Sequence, residues 1–251
     1  MRRTLRIAGL LLVLVIIVVV TPLASAFIGN APITPGVVGT GIEVVQDGYT
    51  TVGLLSLGEG RYALVDAGND PTGKPILDAL AAHGAGPDAV DAILLTHAHP
   101  DHVAACAVFP KAVTYVGSAE LPYLHGERAY QGPLPRLFGP KRADCPNVQP
   151  VADLETLNLG GSRITAWSVP GHTAGSTAWS VGDTLFVGDA ATSRAKGPVL
   201  GPPWVFSDDL GTADASLRSL ASRLPAVPTR VVPAHTGVVS GADFTRSFGR
   251  P

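Results

Sequence analysis

The chain has 251 residues, with 29 Gly, 22 Pro and only 2 Cys; 46% of residues are apolar, 15% are charged and the net charge is −2. So apolar a composition excludes a disordered polyelectrolyte, the scattered Gly and Pro exclude a coiled coil or collagen repeat, and two Cys exclude a disulfide scaffold or a four-Cys zinc site. The charge calls for no nucleic-acid partner, and the length suits one globular domain.

Arg2, Arg3 and Arg6 precede an unbroken apolar run from Ile7 to Val20, followed by Pro22 and Ala24-Ser25-Ala26. This order matches a secretory signal cleaved after Ala26. As a helix the run reaches roughly 21 Å against roughly 30 Å of hydrocarbon, and counted through to Ala26 it is long enough for the rival reading, an uncleaved membrane anchor. Either places the rest outside the cytoplasm, whether secreted, periplasmic or anchored facing outward, with membrane association only through residues 1–26. Residues 27–41 read as a Gly/Pro/Thr-rich linker, and residues 42–251 as the domain.

Short apolar runs at Ile42–Val45, Thr51–Leu57 and Tyr62–Val65 predict hairpin-connected strands. Ile76, Leu77, Leu80 and Ala81 have helical spacing between Gly73 and His83. Ala92–Leu95 predicts a buried strand, Val103–Phe109 a short helix stopped by Pro110, and Val113–Val116 another strand. Residues 117–150 read as irregular. Strands resume at Ile164–Val169, Thr177–Val181 and Thr184–Val187. A helix is predicted over Asp209–Leu224, ended by Pro225, and a last strand at Arg230–Val232. Hairpins first, then strands alternating with helices, predict an α/β domain with helices outside its sheets.

Thr96-His97-Ala98-His99-Pro100-Asp101-His102 follows the strand Ala92–Leu95 directly. Four ligand-type side chains in six residues cannot all be core, because each would need a polar partner there. In an extended strand end, residues two apart project the same way, so His97 and His99 can share one ion. Asp101 and His102, past the turn, can face a second. Imidazole and carboxylate suit zinc, iron or manganese. His172, Asp189 and His235 each follow an apolar strand and precede small residues, the setting in which rigid scaffolds hold reactive groups. His83 and His125 have no such setting and read as surface or loop residues.

In this pattern the chain resembles the metallo-β-lactamase superfamily from about Ile42 to about Val239. It has an early Asp in Leu64-Val65-Asp66-Ala67-Gly68, then the His-x-His-x-Asp-His group, a His, an Asp and a final His in the family's order. The resemblance implies a four-layer αβ/βα sandwich with two divalent metal ions in a cleft between its sheets. It assigns His97, His99 and His172 to the first ion, Asp101, His102 and His235 to the second, and Asp189 to both. It also makes Asp66 a supporting residue that orients a ligand or the chain turn. The implied chemistry is hydrolysis of an ester, thioester, lactone, amide or phosphoester by a metal-bridging hydroxide, with Asp101 as the catalytic residue that orients it. Zinc is the first expectation, with iron or manganese also suited, and the partner is a small-molecule substrate.

Departures from subfamilies bear on the substrate. The family's zinc β-lactamases carry Cys or Ser where this chain has Asp189, although Gly175-Ser176-Thr177-Ala178-Trp179 is similar to a run in one β-lactamase subclass. Its hydroxyacylglutathione hydrolases share all seven ligands but place a glutathione-binding helical region after the last His, which argues against that thioester here. Its sulfur dioxygenases use a similar set with one iron, and its lactonases match the set. A metal-binding protein without activity is the alternative outside catalysis. Residues 117–150 and 194–208 read equally as a substrate selector or as an ordinary surface loop with a few packed aromatics; as a selector, Tyr123, Tyr130, Phe138, Trp204 and Phe206 would form an apolar rim, with Arg136, Lys141, Arg142 and Arg194 for an anionic group. Cys106 and Cys145 read equally as a disulfide or as two thiols, Cys106 being a buried small apolar residue.

Overall fold

The computed structural model describes residue 24 and residues 26–249. The signal or anchor read over residues 1–26 lies, but for residues 24 and 26, outside the described residues. Among the described residues no helix is long and apolar enough to cross a membrane.

Short apolar segments joined by tight turns form an antiparallel meander of β1 (Gly36–Gly39), β2 (Ile42–Asp47), β3 (Thr50–Gly58) and β4 (Arg61–Val65). Helix α1 (Lys74–Ala82) then carries the chain over to β5 (Val90–Leu94). The single turn α2 (Pro100–Val103) precedes β6 (Val113–Gly117), and the turn α3 (Leu121–Leu124) precedes β7 (Val148–Val151). From β4 onward the strands add in parallel, as crossovers through helices and loops require. The second sheet contains β8 (Thr156–Leu159), β9 (Ser162–Ser168), β10 (Thr177–Val181), β11 (Thr184–Gly188), β12 (Arg230–Pro233) and β13 (Val239–Ser240). Its order is β13-β12-β11-β10-β9-β8, with only β11 and β12 parallel. Helix α4 (Leu210–Arg223) supplies that crossover, and α5 (Gly241–Phe248) closes the chain.

Three apolar layers show how the elements stack. Ile76 and Leu80 of α1 pack on Val45, Leu54, Leu64 and Ile93 of the first sheet. Val44, Leu55, Ala63 and Leu94 meet Ile164, Trp179, Phe186 and Val232 between the sheets. Leu217 and Leu220 of α4, with Phe244 and Phe248 of α5, cover Leu185 and Val231. The result is the four-layer αβ/βα sandwich that the resemblance implied. Asp209 caps α4 by accepting the Thr212 N–H at 2.9 Å, so the helix begins one residue later than predicted.

Three expectations change. The lead-in 27–41, read as a linker, contributes β1 and is tied to the domain where Ala31 N–H donates to the Ser193 carbonyl at 2.9 Å. The helix predicted over Val103–Phe109 is instead α2 followed by a 3-10 turn at Cys106–Val108. Its apolar spacing serves burial, but Ala104 and Ala105 donate their N–H groups to the carbonyls of Gly68 and Ala67, which leaves no continuous helical ladder. Residues 117–150 are less irregular than expected, since they contain α3 and β7 as well as short 3-10 turns.

Of the two readings open for the cysteines, the bridge is the one found: Cys106 and Cys145 form a disulfide across 39 residues of chain. It joins the segment after α2 to the loop before β7. Cys145→Ser should lower the unfolding free energy by about 4 kcal/mol on the chain-entropy model. Urea denaturation should show the lower midpoint, and dithiothreitol should bring the unaltered chain to the same value.

Candidate metal centre

The predicted ligands all sit just beyond the carboxyl ends of strands that the sandwich brings to one edge. His97 and His99 follow β5, His172 follows β9, Asp189 follows β11 and His235 follows β12. Gly188, at φ 54°, turns the chain so that Asp189 points inward; a Cβ there would lie 2.5 Å from Thr96 Oγ1. Gly171 allows the His172 loop to pass against α4, where a Cβ would lie 2.3 Å from the Ala213 nitrogen.

All seven predicted ligands are brought together. His97, His99, His172 and Asp189 form one buried group, and Asp101, His102 and His235 a second, the candidate ligand atoms within each lying within 4.8 Å of one another. His97 Nε2 is 3.0 Å from His99 Nδ1 and 3.2 Å from His172 Nε2, which is itself 3.1 Å from His99 Nδ1. Asp189 lies between the groups, with Oδ2 3.5 Å from His172 Nε2 and Oδ1 3.4 Å from His102 Nε2 and 3.1 Å from His235 Nε2. Asp101 Oδ2 is 3.3 Å from His235 Nε2 and its side chain is partly exposed. His83 and His125 stand apart with half-exposed side chains, beside Glu43 and Glu127.

The outer nitrogens decide which ring atom faces the centre. Thr96 Oγ1 donates to Asp66 Oδ2 at 2.8 Å, so it accepts from His97 Nδ1 at 3.1 Å. Ser207 Oγ donates to the Pro203 carbonyl at 2.8 Å, so it accepts from His172 Nδ1 at 3.1 Å. His102 Nδ1 donates to Asp66 Oδ2 at 2.8 Å, and His235 Nδ1 to the Tyr49 carbonyl at 2.7 Å. Each Nδ1 therefore carries a proton, which leaves Nε2 of these four rings as the atom facing the centre. Asp66, at φ 63° and buried, also accepts the Thr96 N–H at 2.7 Å. It thus holds one histidine of each group.

The two groups differ electrostatically. Burial pulls His99 down to about 4 and His172 to about 3. Burial and the neighbouring imidazole of His102 push His97 well below its ordinary value too. Burial also acts on His102, but Asp66, Asp189 and Asp101 outweigh it and raise the ring well above the usual range. His235 is likewise raised, by Asp189 against burial. Burial would raise the Asp189 carboxyl, yet His235 and His102 hold it well below the usual carboxylate range.

These residues fit divalent cations. Three ring nitrogens in a triangle cannot make three hydrogen bonds, because each N–H points in one direction. His102 Nε2 and Asp189 Oδ1 are buried without a hydrogen-bond partner. A cation is the partner that satisfies converging lone pairs and a buried carboxylate together.

One residue of the centre escaped sequence reasoning. Glu120 is fully buried and accepts four hydrogen bonds: Ala98 N–H and Tyr130 O–H at 3.0 Å on Oε1, Thr173 O–H at 2.8 Å and Gly175 N–H at 3.0 Å on Oε2. Burial raises its pKa, while those donors favour the carboxylate. It fastens the loop of His97 and His99 to the loop after His172, and Tyr130 packs edge-on to His99 at 4.3 Å between ring centres. Its one sequence signal is its place after β6, on the edge where the ligands gather. Glu120→Gln turns a two-oxygen acceptor into a half-donor facing donors. It should weaken cation binding by the three-histidine group about 10–100-fold, measured by chelator competition.

The expected selector is only partly assembled around the centre. Tyr130, Phe138, Lys141, Arg142 and Phe206 line a cavity beside His99. Tyr123 is buried and stacks on Tyr130 at 4.6 Å between ring centres. Arg194 is engaged elsewhere, donating to the Ile28 carbonyl of the lead-in.

The family model described as "Metallo-beta-lactamase superfamily" matches residues 45–235. The chain is 35% identical over 159 residues to the hydroxyacylglutathione hydrolase of Pectobacterium carotovorum subsp. carotovorum (strain PC1), covering 63% of this chain and 53% of that one. It is 29% identical over 210 residues to that of Serratia proteamaculans (strain 568), covering 82% and 69%. It thus spans about half the length of several of the curated relatives it matches. Among solved structures, a B3 metallo-beta-lactamase with an active-site glutamic acid superimposes at TM-score 0.66 and 22% identity, covering 90% of each chain. Rm3 metallo-beta-lactamase superimposes at TM-score 0.64 and 20% identity, covering 84% of this chain and 81% of that one. These likenesses establish the fold.

Proposed function

The chain belongs to the metallo-β-lactamase superfamily, and on that footing we propose that it is a hydrolase working with two divalent cations on an ester, thioester, lactone, amide or phosphoester of a small molecule. The observation that carries this reading is the convergence of four imidazole Nε2 atoms, His99 Nδ1 and two carboxylates on one edge of the sandwich. His97 Nε2, His99 Nδ1 and His172 Nε2 would hold one cation, Asp101, His102 Nε2 and His235 Nε2 the other, and Asp189 would face both. Zinc suits this set first, with iron or manganese as alternatives. When bound, the cations supply Lewis acidity and lower the pKa of water towards neutrality.

The chain's own residues do the rest. Asp66, Thr96, Ser207 and the Tyr49 carbonyl fix the ring tautomers. Asp101, the most accessible carboxylate of the centre, orients the attacking water and passes a proton to the leaving group. We place the activity outside the cytoplasm, a reading supported by the basic-then-apolar order of residues 1–26 and by the disulfide. Protein purified without chelators should contain close to two cations per chain. It should also hydrolyse at least one member of a panel of esters, lactones, thioesters, phosphoesters and β-lactams. No bound metal and no turnover would overturn the proposal, and one iron with oxygen uptake on persulfides would replace it with a dioxygenase. The names of the curated relatives favour placing a hydroxyacyl thioester of glutathione in that panel.

A further inference from the structure

A cavity of about 410 Å³ opens beside His99, walled by Ala98, Val103 and Ala104 from the metal-binding turn and by Tyr130, Phe138 and Ala143 from the loop before β7. Its charged members, Lys141, Arg142 and Asp144, are solvent-exposed. A second cavity of about 380 Å³ contains Asp101, Asp189 and His235, and the two share His99 and Phe206. The cleft that holds the proposed chemistry therefore adjoins an apolar side chamber at His99 and Phe206. The Cys106–Cys145 bridge lies just beyond Ala104 on one wall and Ala143 on the other, and so staples the walls together. A chamber held open in this way adds little ordering cost to binding. Phe138 lines it yet is 64% exposed, an apolar ring that a ligand would cover.

We infer that this chamber binds an unbranched apolar chain of the substrate, so that the preferred substrate is an acyl ester, thioester or lactone with roughly eight to twelve chain carbons. Volume sets the upper bound: an engineered apolar cavity of about 150 Å³ takes the six carbons of benzene, so about 410 Å³ admits roughly sixteen, and a chain of eight to twelve fits within it. The inference rests on the hydrolase reading for the chemistry, but binding of the chain can be measured without it. In calorimetric titration of the full chain with its cations, affinity should rise about threefold to fourfold per methylene from 1-butanol through 1-octanol, and level off between about eight and twelve carbons. Ala143→Trp, which puts an indole into the chamber and shortens it, should flatten that dependence beyond the shortest alcohols. Phe138→Ser, at an exposed position where folding is not at stake, should lower the ratio of 1-octanol to 1-butanol affinity about fivefold.

The p-nitrophenyl esters from acetate to decanoate separate the two readings. Alcohols that bind by chain length while neither these esters nor any other member of the substrate panel is cleaved would leave the chamber and remove the hydrolase. Esters cleaved without regard to chain length, with alcohol binding equally indifferent, would leave the hydrolase and overturn the chamber. Length dependence surviving in both variants would also overturn it.

Discussion

Asp189→Ala should reduce kcat/KM about 10³-fold on any ester the chain hydrolyses and lower its bound cations from two per chain to one or none. Asp189 is the member of the seven that faces both groups, 3.5 Å from His172 Nε2 and 3.1 Å from His235 Nε2. Burial would raise its carboxyl, but His235 and His102 hold it well below the usual carboxylate range, which favours a negative charge where two cations would meet. Removing it leaves converging cations with less charge to offset their repulsion. A loss of several kcal/mol of transition-state stabilisation follows from weaker metal participation, at about 1.36 kcal/mol per tenfold in rate. Asp189→Asn keeps the shape without the charge and should bind cations with intermediate affinity. Mass spectrometry of metal content, steady-state rates and circular dichroism together read the effect. A variant with two cations and an unaltered rate would remove Asp189 from the centre.

What the sequence made legible and what it hid divide along a physical line. His97, His99, His172, Asp189 and His235 were readable because each follows an apolar strand whose periodicity is local, and a strand end in a sandwich lies at an edge. The spacing of His97 and His99 is itself a statement about an extended backbone. The outer partners were less legible. Ser207 and the Tyr49 carbonyl hold His172 and His235 from 35 and 186 residues away, and a backbone carbonyl has no residue signature. Glu120 gathers donors from segments up to 55 residues away in sequence. Strand β1 was masked by its composition, since Gly36 and Gly39 favour a loop until β2 offers a pairing partner. The Val103–Phe109 stretch has helical periodicity, but Ala67 and Gly68 capture the backbone donors that a helix would use. Tertiary hydrogen bonding overrode a local pattern there, and it did so where the ligand turn is anchored.

Asp66 is where stability and chemistry can be separated by two substitutions. Asp66→Ala should unfold more easily by about 4 kcal/mol. It leaves the buried Thr96 N–H unpartnered, at about 1–3 kcal/mol, and puts Ala at a positive φ that costs about 1–2 kcal/mol. Asp66→Asn behaves differently. Asn tolerates φ 63°, and its amide oxygen can still accept the Thr96 N–H, so the urea midpoint should stay near that of the unaltered chain. Its NH2 group, however, stands where Oδ2 accepted from His102 Nδ1 and Thr96 Oγ1. His102 Nδ1 must then become an acceptor, which moves the ring proton to Nε2 and turns an N–H towards the centre. Thr96 Oγ1, released from Asp66, is free to donate to His97 Nδ1 and invert that ring as well. One amide therefore reverses a tautomer in each group. A carboxylate-to-amide change behind a catalytic histidine costs up to about 10⁴ in kcat by this route in the serine-protease triad. For Asp66→Asn a fall of 10²–10⁴ in kcat/KM is expected, with cation affinity reduced about 10–100-fold. Imidazole ¹⁵N shifts of the metal-free chain, followed upward in pH until His102 loses its second proton, should report the inverted tautomers. A stable Asp66→Asn protein with the original tautomers and rate would show that Asp66 serves the turn alone.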